Sequence, residues 1–151
     1  MTEPEQICLM SEVNGQLVKD GQPLPNTKLV RELSYVYKDG FHTDEAITNA
    51  EGYFSFPAIF EKKKRFAFLN MFTIAQNIDI IINGERKIIW SGNKNDEEEN
   101  TEARGKPINL ICDLAKSNYE HKYIDDSSFS TLCDWNVTSD SEPTLKFSED
   151  Y

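Results

Sequence analysis

The side chains that could carry out chemistry are few in this sequence and lie far apart. The chain contains two histidines, His42 and His121, and three cysteines, Cys8, Cys112 and Cys133. A nucleophilic mechanism needs a serine or cysteine beside a base, and Cys112 or Cys133 could meet His121 in space. Cys112 stands in an alternating apolar stretch, however, and this favours a buried structural cysteine. The pattern therefore does not indicate a nucleophilic enzyme.

Metal ligands and cofactor motifs have equally weak support. The stretches HTDE at 42–45 and EH at 120–121 contain side chains that can bind metals. Neither has the paired spacing of a zinc or calcium site, so we interpret both as polar loop or surface residues. The seven glycines stand singly at turns, and none forms a loop that could cradle a phosphate. We expect no metal, no cofactor and no enzymatic activity.

The chain is strongly acidic, with a formal net charge of −10 over 151 residues. Such a surface repels nucleic acid and anionic membranes, and it attracts basic partners through long-range steering. The same charge could also serve solubility alone. With 38% apolar residues, the chain can still bury a core of its own. The expected partner is therefore a basic protein, and neither a nucleic acid nor a membrane.

The expected location is the cytoplasm. No apolar run approaches the roughly 20 residues of a membrane span, and the start MTEPEQICLMSEV lacks a basic region followed by an apolar one. The three cysteines are widely spaced and form no C-x-x-C pair, which fits reduced thiols better than a disulfide framework.

The sequence pattern predicts that the elements positioning these residues are short strands separated by turns. The stretch TKLVRELSYVYK alternates, with Leu29, Arg31 and Leu33 on one face. In GYFSFPAI the same period directs Phe54 and Phe56 into the core. These runs predict strands that are buried on one face.

Two further segments complete the predicted sandwich. Asn83–Gly84 joins two isoleucine-rich runs, which is the strongest short-range hairpin signal. Residues 107–115, PINLICDLA, predict a last core strand, and residues 66–76, FAFLNMFTIAQ, predict an apolar crossing segment with about one helical turn.

The composition changes after residue 116. Residues 117–151 contain two lysines against eight carboxylates, together with scattered aromatic residues. We therefore divide the chain into a sandwich domain, 1–116, and an acidic extension, 117–151. The aromatic content is too high for a purely solvated tail, so the extension is expected to pack on the domain or on a partner.

Residues 12–59 resemble the carboxypeptidase-regulatory-like and transthyretin-like β-sandwich domains. Their outline, G-x-L/V … G-x-P-L … V … T-x-x-x-G-x-F-x-F, is matched by Gly15, Leu17, Gly21, Pro23, Leu24, Leu29, Thr48, Gly52, Phe54 and Phe56. A hairpin of the type I-x-I…NG…W and the run NLICDL are similar to a bacterial branch of single-domain members. These features are formed by Ile78, Ile80, Asn83, Gly84, Trp90, Asn109, Leu110, Cys112, Asp113 and Leu114.

The resemblance implies an all-β protein: a single transthyretin-like sandwich of about seven strands with an irregular acidic C-terminal tail. It also implies an association with interbacterial toxin systems of the type VI secretion kind, in which such small proteins act as immunity proteins. One hydrolase lineage shares the fold and ends in Tyr-Arg-Gly-Ser, whereas this chain ends LKFSEDY. The similarity therefore fails where the chemistry of that lineage would lie.

The expected function is that of a non-catalytic protein-binding module, an immunity protein that neutralises a cognate basic toxin. The alternative is an accessory structural domain of a secretion or cell-envelope assembly. Interface hot spots favour tryptophan and tyrosine with matched charge around them. The predicted partner-binding residues are accordingly Tyr119, Tyr123, Asp125, Asp126, Asp134 and Trp135, followed by the acidic loop of Asp96, Glu97, Glu98 and Glu99. Trp135 and Tyr123 could instead cover an open face of the sandwich.

Overall fold

The computed structural model describes residues 6–36, 40–62, 72–125 and 127–140. Much of the predicted crossing segment, and Asp126 among the predicted contact residues, lie outside this part of the chain. Among the described residues, no helix is long and apolar enough to cross a membrane.

The described residues contain strands and no helix, so the predicted all-β class is confirmed. The strands are β1 (Gln6–Met10), β2 (Val13–Lys19), β3 (Gln22–Pro23), β4 (Lys28–Tyr35), β5 (Phe41–Ile47), β6 (Tyr53–Phe56), β7 (Ile59–Lys62), β8 (Ile74–Ile82), β9 (Glu85–Lys94), β10 (Ile108–Asp113), β11 (Glu120–Ile124), β12 (Ser127–Thr131) and β13 (Cys133–Trp135). They exceed the predicted seven by six. The first apolar run divides into β1 and β2, the short strands β3 and β7 add two more, and the extension contributes three.

The strands form two larger sheets that face each other around the core. The six-stranded sheet has the order β11-β12-β9-β8-β4-β5 and is antiparallel throughout. The five-stranded sheet has the order β13-β10-β2-β3, with β6 also paired to β2. Within it, β2 and β10 run parallel. Strands β1 and β7 form a separate antiparallel pair.

The predicted hairpin at Asn83–Gly84 is confirmed. It joins β8 to β9, the pair with the longest register among the described strands. Asn83 and Gly84 both have positive φ, 54° and 81°, which is the backbone geometry that a two-residue type I′ turn requires.

Aromatic rings fill one end of the core. The ring centroids of Trp90, Phe129 and Trp135 lie 5.2 to 5.6 Å from one another, in the range where edge-to-face pairs add to the energy of burial. Gly92 makes room for this cluster, since a Cβ there would lie 2.0 Å from the Phe129 ring. Two of the three rings come from the extension.

The extension therefore differs from the irregular tail that its composition predicts. Strand β12 pairs with β9 and continues the six-stranded sheet, and β13 pairs with β10 and forms the edge of the five-stranded sheet. Residues 120–135 thus contribute to both layers. The physical reason is the alternation of Phe129, Thr131, Cys133 and Trp135, all of them buried, which an acidic composition does not cancel.

The interpretation of the cysteines as reduced thiols is wrong for two of the three. Cys112 on β10 and Cys133 on β13 form a disulfide, and they are directly paired across the two strands. Cys8 is free and buried, and burial raises the pKa of its thiol to about 11. Disulfides are rare in cytosolic proteins, so the cysteines no longer support a cytoplasmic location.

One buried charge stands in the middle of the sandwich. Arg31 on β4 is 0% exposed, and its guanidinium lies 4.8 Å from the centre of the Phe56 ring. Its Nε and Nη2 donate to the two carboxylate oxygens of Asp44 on β5, at 2.9 and 2.5 Å. The Asp44 side chain is 31% exposed and lies at the open edge of the six-stranded sheet.

Candidate functional site

An open groove of about 910 Å³ crosses the outer face of the five-stranded sheet. It extends from the end of β5, across β6, β2 and β10, to β13. The lining residues are Asn14, Gly15, Gln16, Glu45, Ala46, Ile47, Asn49, Tyr53, Phe54, Ser55, Asn109, Leu110, Ile111, Asp134, Trp135 and Asn136.

Strand register aligns four groove side chains in one row. Tyr53 on β6 is paired with Gln16 on β2, Gln16 with Ile111 on β10, and Ile111 with Asp134 on β13. Because paired residues point to the same face, these four form a continuous line across the sheet. We call them the central row.

The central row presents apolar surface to solvent. Tyr53 and Ile111 are each 53% exposed, and Ile47 at the β5 end of the groove is 61% exposed. Single exposed apolar residues are common on protein surfaces, whereas several around one concavity indicate an interaction site.

Amide side chains surround these apolar residues. Asn14 pairs with Ser55 on one side and Asn109 on the other, which gives a second, polar row. The Asn14 Nδ2 donates to Glu12 Oε2 at 2.9 Å, and Gln16 Nε2 donates to the Glu51 carbonyl at 2.9 Å. An amide both donates and accepts hydrogen bonds, so the groove can satisfy a polypeptide backbone laid across it.

The charged residues that line the groove are both acidic. Glu45 stands at one end and Asp134 at the other. Each has an exposed lysine partner outside the lining, Lys28 at 3.1 Å from Glu45 and Lys116 at 2.9 Å from Asp134. Hydrogen bonding to Asp134 is the main cause that raises the pKa of Lys116, with smaller contributions from nearby carboxylates. Asp113 and Glu120 also lie near Lys116, so the Asp134 end of the groove has three carboxylates around one lysine.

Two of the residues predicted to bind a partner, Asp134 and Trp135, line this groove. The Trp135 side chain is 5% exposed and packs in the aromatic cluster, so it stabilises β13 and its ring is not open to solvent. Its Nε1 has no hydrogen-bond partner within the described part of the chain. Asp134, in contrast, is exposed.

The other described contacts predicted in the extension do not line the groove. Tyr119 is 41% exposed, and its hydroxyl donates to the Ile88 carbonyl at 2.7 Å. Tyr123 is half-buried on β11. Asp125 lies at the turn after β11, with its amide bonded to Asp140 and its carboxylate 3.9 Å from Arg104. None of these three residues is in the described lining of the groove, whereas Asp134 is.

The acidic loop is arranged around a buried lysine. Lys94, 2% exposed, donates to Asp96 Oδ1 at 2.9 Å, to Thr101 Oγ1 at 2.6 Å and to the Glu98 carbonyl. The main chain of the loop also contacts β1, where the Glu97 carbonyl accepts from the Cys8 amide at 2.9 Å. Glu98 and Glu99 are exposed. Asp96 and Asp125 line one small cavity of about 150 Å³.

We expect Asp96→Asn to lower the free energy of unfolding by about 1 kcal/mol at pH 7. Hydrogen bonds to charged groups contribute more than this when buried, but the Asp96 side chain is 47% exposed and solvent weakens its interactions. Burial opposes ionisation of Asp96, but hydrogen bonds from Lys94, Thr101 and the Glu98 amide together hold its pKa below 3.8. The unfolded chain therefore takes up the proton first as the pH falls. The stabilisation present above pH 3.8 is lost as the pH passes through the folded-state pKa.

Urea unfolding of both proteins at neutral pH and at acid pH measures this effect. The difference between wild type and Asp96→Asn should shrink towards acid pH. A difference that is constant with pH would contradict the assignment to this carboxylate. Glu99→Gln, in the same loop and exposed, is the matched control and should change stability little.

Both histidines have polar partners. His121 Nδ1 lies 2.7 Å from Ser130 Oγ on the exposed face of the β11–β12 pair. His42 Nε2 lies 3.1 Å from one oxygen of Glu61, whose other oxygen accepts from the Tyr35 hydroxyl. Burial and this bond raise the pKa of Tyr35. Among the described residues, no group of three or more His, Cys, Asp or Glu side chains could hold a metal ion. The expectation of no catalysis stays a prediction.

The sequence contained a signal for the groove that the predictions did not use. In PINLICDLA the core face takes Ile108, Leu110 and Cys112, which leaves Ile111 on the opposite face between Asn109 and Asp113. An aliphatic residue at an outward position of a strand indicates a contact surface. Tyr53, opposite Phe54 and Phe56 in β6, is a second such residue.

Comparison with known proteins gives one match. The family model for a domain of unknown function (DUF6795) matches residues 13–117. This range includes β2 to β10 and thus most of the groove, while β13 lies beyond it. No match was found among curated proteins or among solved structures.

Proposed function

Since the chain belongs to the DUF6795 family of domains of unknown function, we propose from its groove that it is a non-catalytic protein-binding module. The observation that carries this proposal is the central row. It places exposed Tyr53 and Ile111 in a concave surface that also contains amides and carboxylates. Protein interfaces have this composition, with apolar and aromatic anchors at the centre and polar groups at the rim.

We propose further that the partner is a basic toxin and that binding neutralises it, so that the protein acts as an immunity protein. The net charge of −10 and the acidic lining of the groove support a basic partner. Charge of this kind speeds encounter and adds specificity. The neutralising role itself rests on the resemblance of the Asn83–Gly84 hairpin and of the NLICDL segment to the bacterial branch described above.

Ile111→Glu tests the groove as the binding surface. We expect this change to abolish capture of the partner from a native lysate, because it places a charge in the apolar centre of the interface. Lys87→Glu, an exposed change on β9 outside the groove lining, should leave capture unchanged. Mass identification at low and high salt names the partner, and co-expression with it tests neutralisation.

Two outcomes would contradict the proposal. Capture of the same partner by Ile111→Glu would place the interface elsewhere. A partner that belongs to a secretion or envelope assembly, with no toxic effect of its own, would exclude neutralisation and favour the structural alternative.

A further inference from the structure

The two carboxylates of the groove stand at opposite ends of the central row. Asp134 is its last member on β13, and Glu45 lies on β5 beyond Tyr53. From β13 to β6 there are three strand spacings, which amount to about 14 Å. Strand β5 is the edge of the six-stranded sheet and is not paired with β6 among the described strands, so Glu45 lies beyond this distance. An extended chain rises about 3.3 Å per residue, so about four to six residues cover this span.

The existing partners of these carboxylates are easily replaced. Lys28 and Lys116 are 44% and 43% exposed, and neither lines the groove. Exposed ion pairs contribute only about 0–1 kcal/mol. A cation brought by a ligand can therefore take the place of either lysine at little cost.

The space between the carboxylates suits an apolar side chain. Tyr53 and Ile111 flank Gln16, which is half-buried and whose side-chain amide donates to the Glu51 carbonyl. Asn14 and Asn109, in the neighbouring row, offer amides that can bond to a main chain. Phosphate groups, in contrast, would meet two carboxylates, and the described lining residues include no lysine, arginine or histidine.

We propose that the groove binds an extended cationic segment of the partner protein. Two lysine or arginine side chains, about four to six residues apart, contact Glu45 and Asp134. An apolar side chain between them packs on Tyr53 and Ile111. This inference rests on the proposed function, since it specifies the part of the partner that enters the groove.

The test uses the capped peptide Lys-Ser-Leu-Ser-Ser-Lys and the full chain, with amide chemical shifts followed by NMR during titration. We expect saturable shifts at Gln16, Asn109 and Ile111, with a dissociation constant on the order of 1 mM for so short a ligand. Asp134→Asn and Glu45→Gln should each weaken binding about two- to five-fold, as expected for exposed charge pairs. The double variant should weaken it about ten-fold.

Matched controls separate local contacts from the overall charge. Glu85→Gln changes the net charge by the same amount at an exposed site on β9 outside the groove, and it should leave the affinity unchanged. A peptide with glutamate in place of both lysines should not bind. A peptide with serine in place of leucine should bind more weakly than the original.

The proposal is overturned if the original peptide causes no shifts in the groove, or if Glu85→Gln weakens binding as much as Asp134→Asn. This failure is distinguishable from failure of the proposed function. If Ile111→Glu abolishes capture of the full partner while the peptide does not bind, the groove is the interface and the partner presents a folded surface to it. If Ile111→Glu leaves capture intact, the groove is not the interface.

Discussion

Replacing Asp44 with alanine is expected to lower the free energy of unfolding by about 3–5 kcal/mol, since removal of one partner leaves a buried charge uncompensated. Arg31 is 0% exposed and has Asp44 as its carboxylate partner. Its Nη1 already lacks a hydrogen-bond partner within the described residues. The cation–π contact with Phe56 remains in the variant, but it contributes only about 0.5–2 kcal/mol. Urea unfolding at pH 7 measures the loss.

A second substitution shows whether the stability is lost because the Arg31 charge has no carboxylate partner or because side-chain packing is lost. Arg31→Met fills a similar volume without charge, and the double variant with Asp44→Ala should recover most of the stability. Asp44→Asn keeps one acceptor and should cost less than Asp44→Ala. Glu45→Ala, the next residue on the outer face, pairs with Lys28 at the surface and should cost at most about 1 kcal/mol. A double variant no more stable than Asp44→Ala would contradict the account.

Local patterns in the sequence predict the individual strands and turns of this fold well. The Asn83–Gly84 turn and the alternation of β4, β6 and β10 depend on neighbours within a few residues, and each is confirmed. The pairing of β2 with β10 joins residues about ninety positions apart. Nothing in either segment specifies that partner, because register depends on which apolar faces meet in the folded core.

The extension shows how composition can mislead. Its serines and carboxylates predict an irregular tail, yet Phe129 and Trp135 have the spacing that a strand needs and lie 3% and 5% exposed. Burial of large aromatic rings outweighs the weak propensities of the residues between them. Packing of these rings in the core also brings Cys133 beside Cys112. Their separation of 21 residues in the sequence does not reveal that they are paired.

The candidate site was predictable only in part. Asp134 was among the predicted contacts because of its charge and its tryptophan neighbour, and it does line the groove. Tyr53, Gln16 and Ile111 were not, since their common row exists only after β6, β2 and β10 are aligned. Sheet register, which joins distant segments, therefore determines the surface more than any motif does.

Loss of the Cys112–Cys133 disulfide is expected to lower the free energy of unfolding by about 3 kcal/mol, because the cross-link of two residues 21 positions apart restricts the unfolded chain. At about 2–4 °C per kcal/mol for a chain of this size, the melting temperature should fall by about 6–12 °C. The double variant Cys112→Ala/Cys133→Ala and wild type treated with a strong reductant should behave alike, and the reductant should not affect the variant. Since the bond joins the neighbours of Ile111 and Asp134, reduction should also weaken binding in the groove.

Thiol titration of the denatured, unreduced protein is the direct check of the disulfide. One reactive thiol, that of Cys8, is expected, whereas three reactive thiols would contradict the bond. Cys8→Ala is the control, and its melting temperature should respond to the reductant as that of the wild type does.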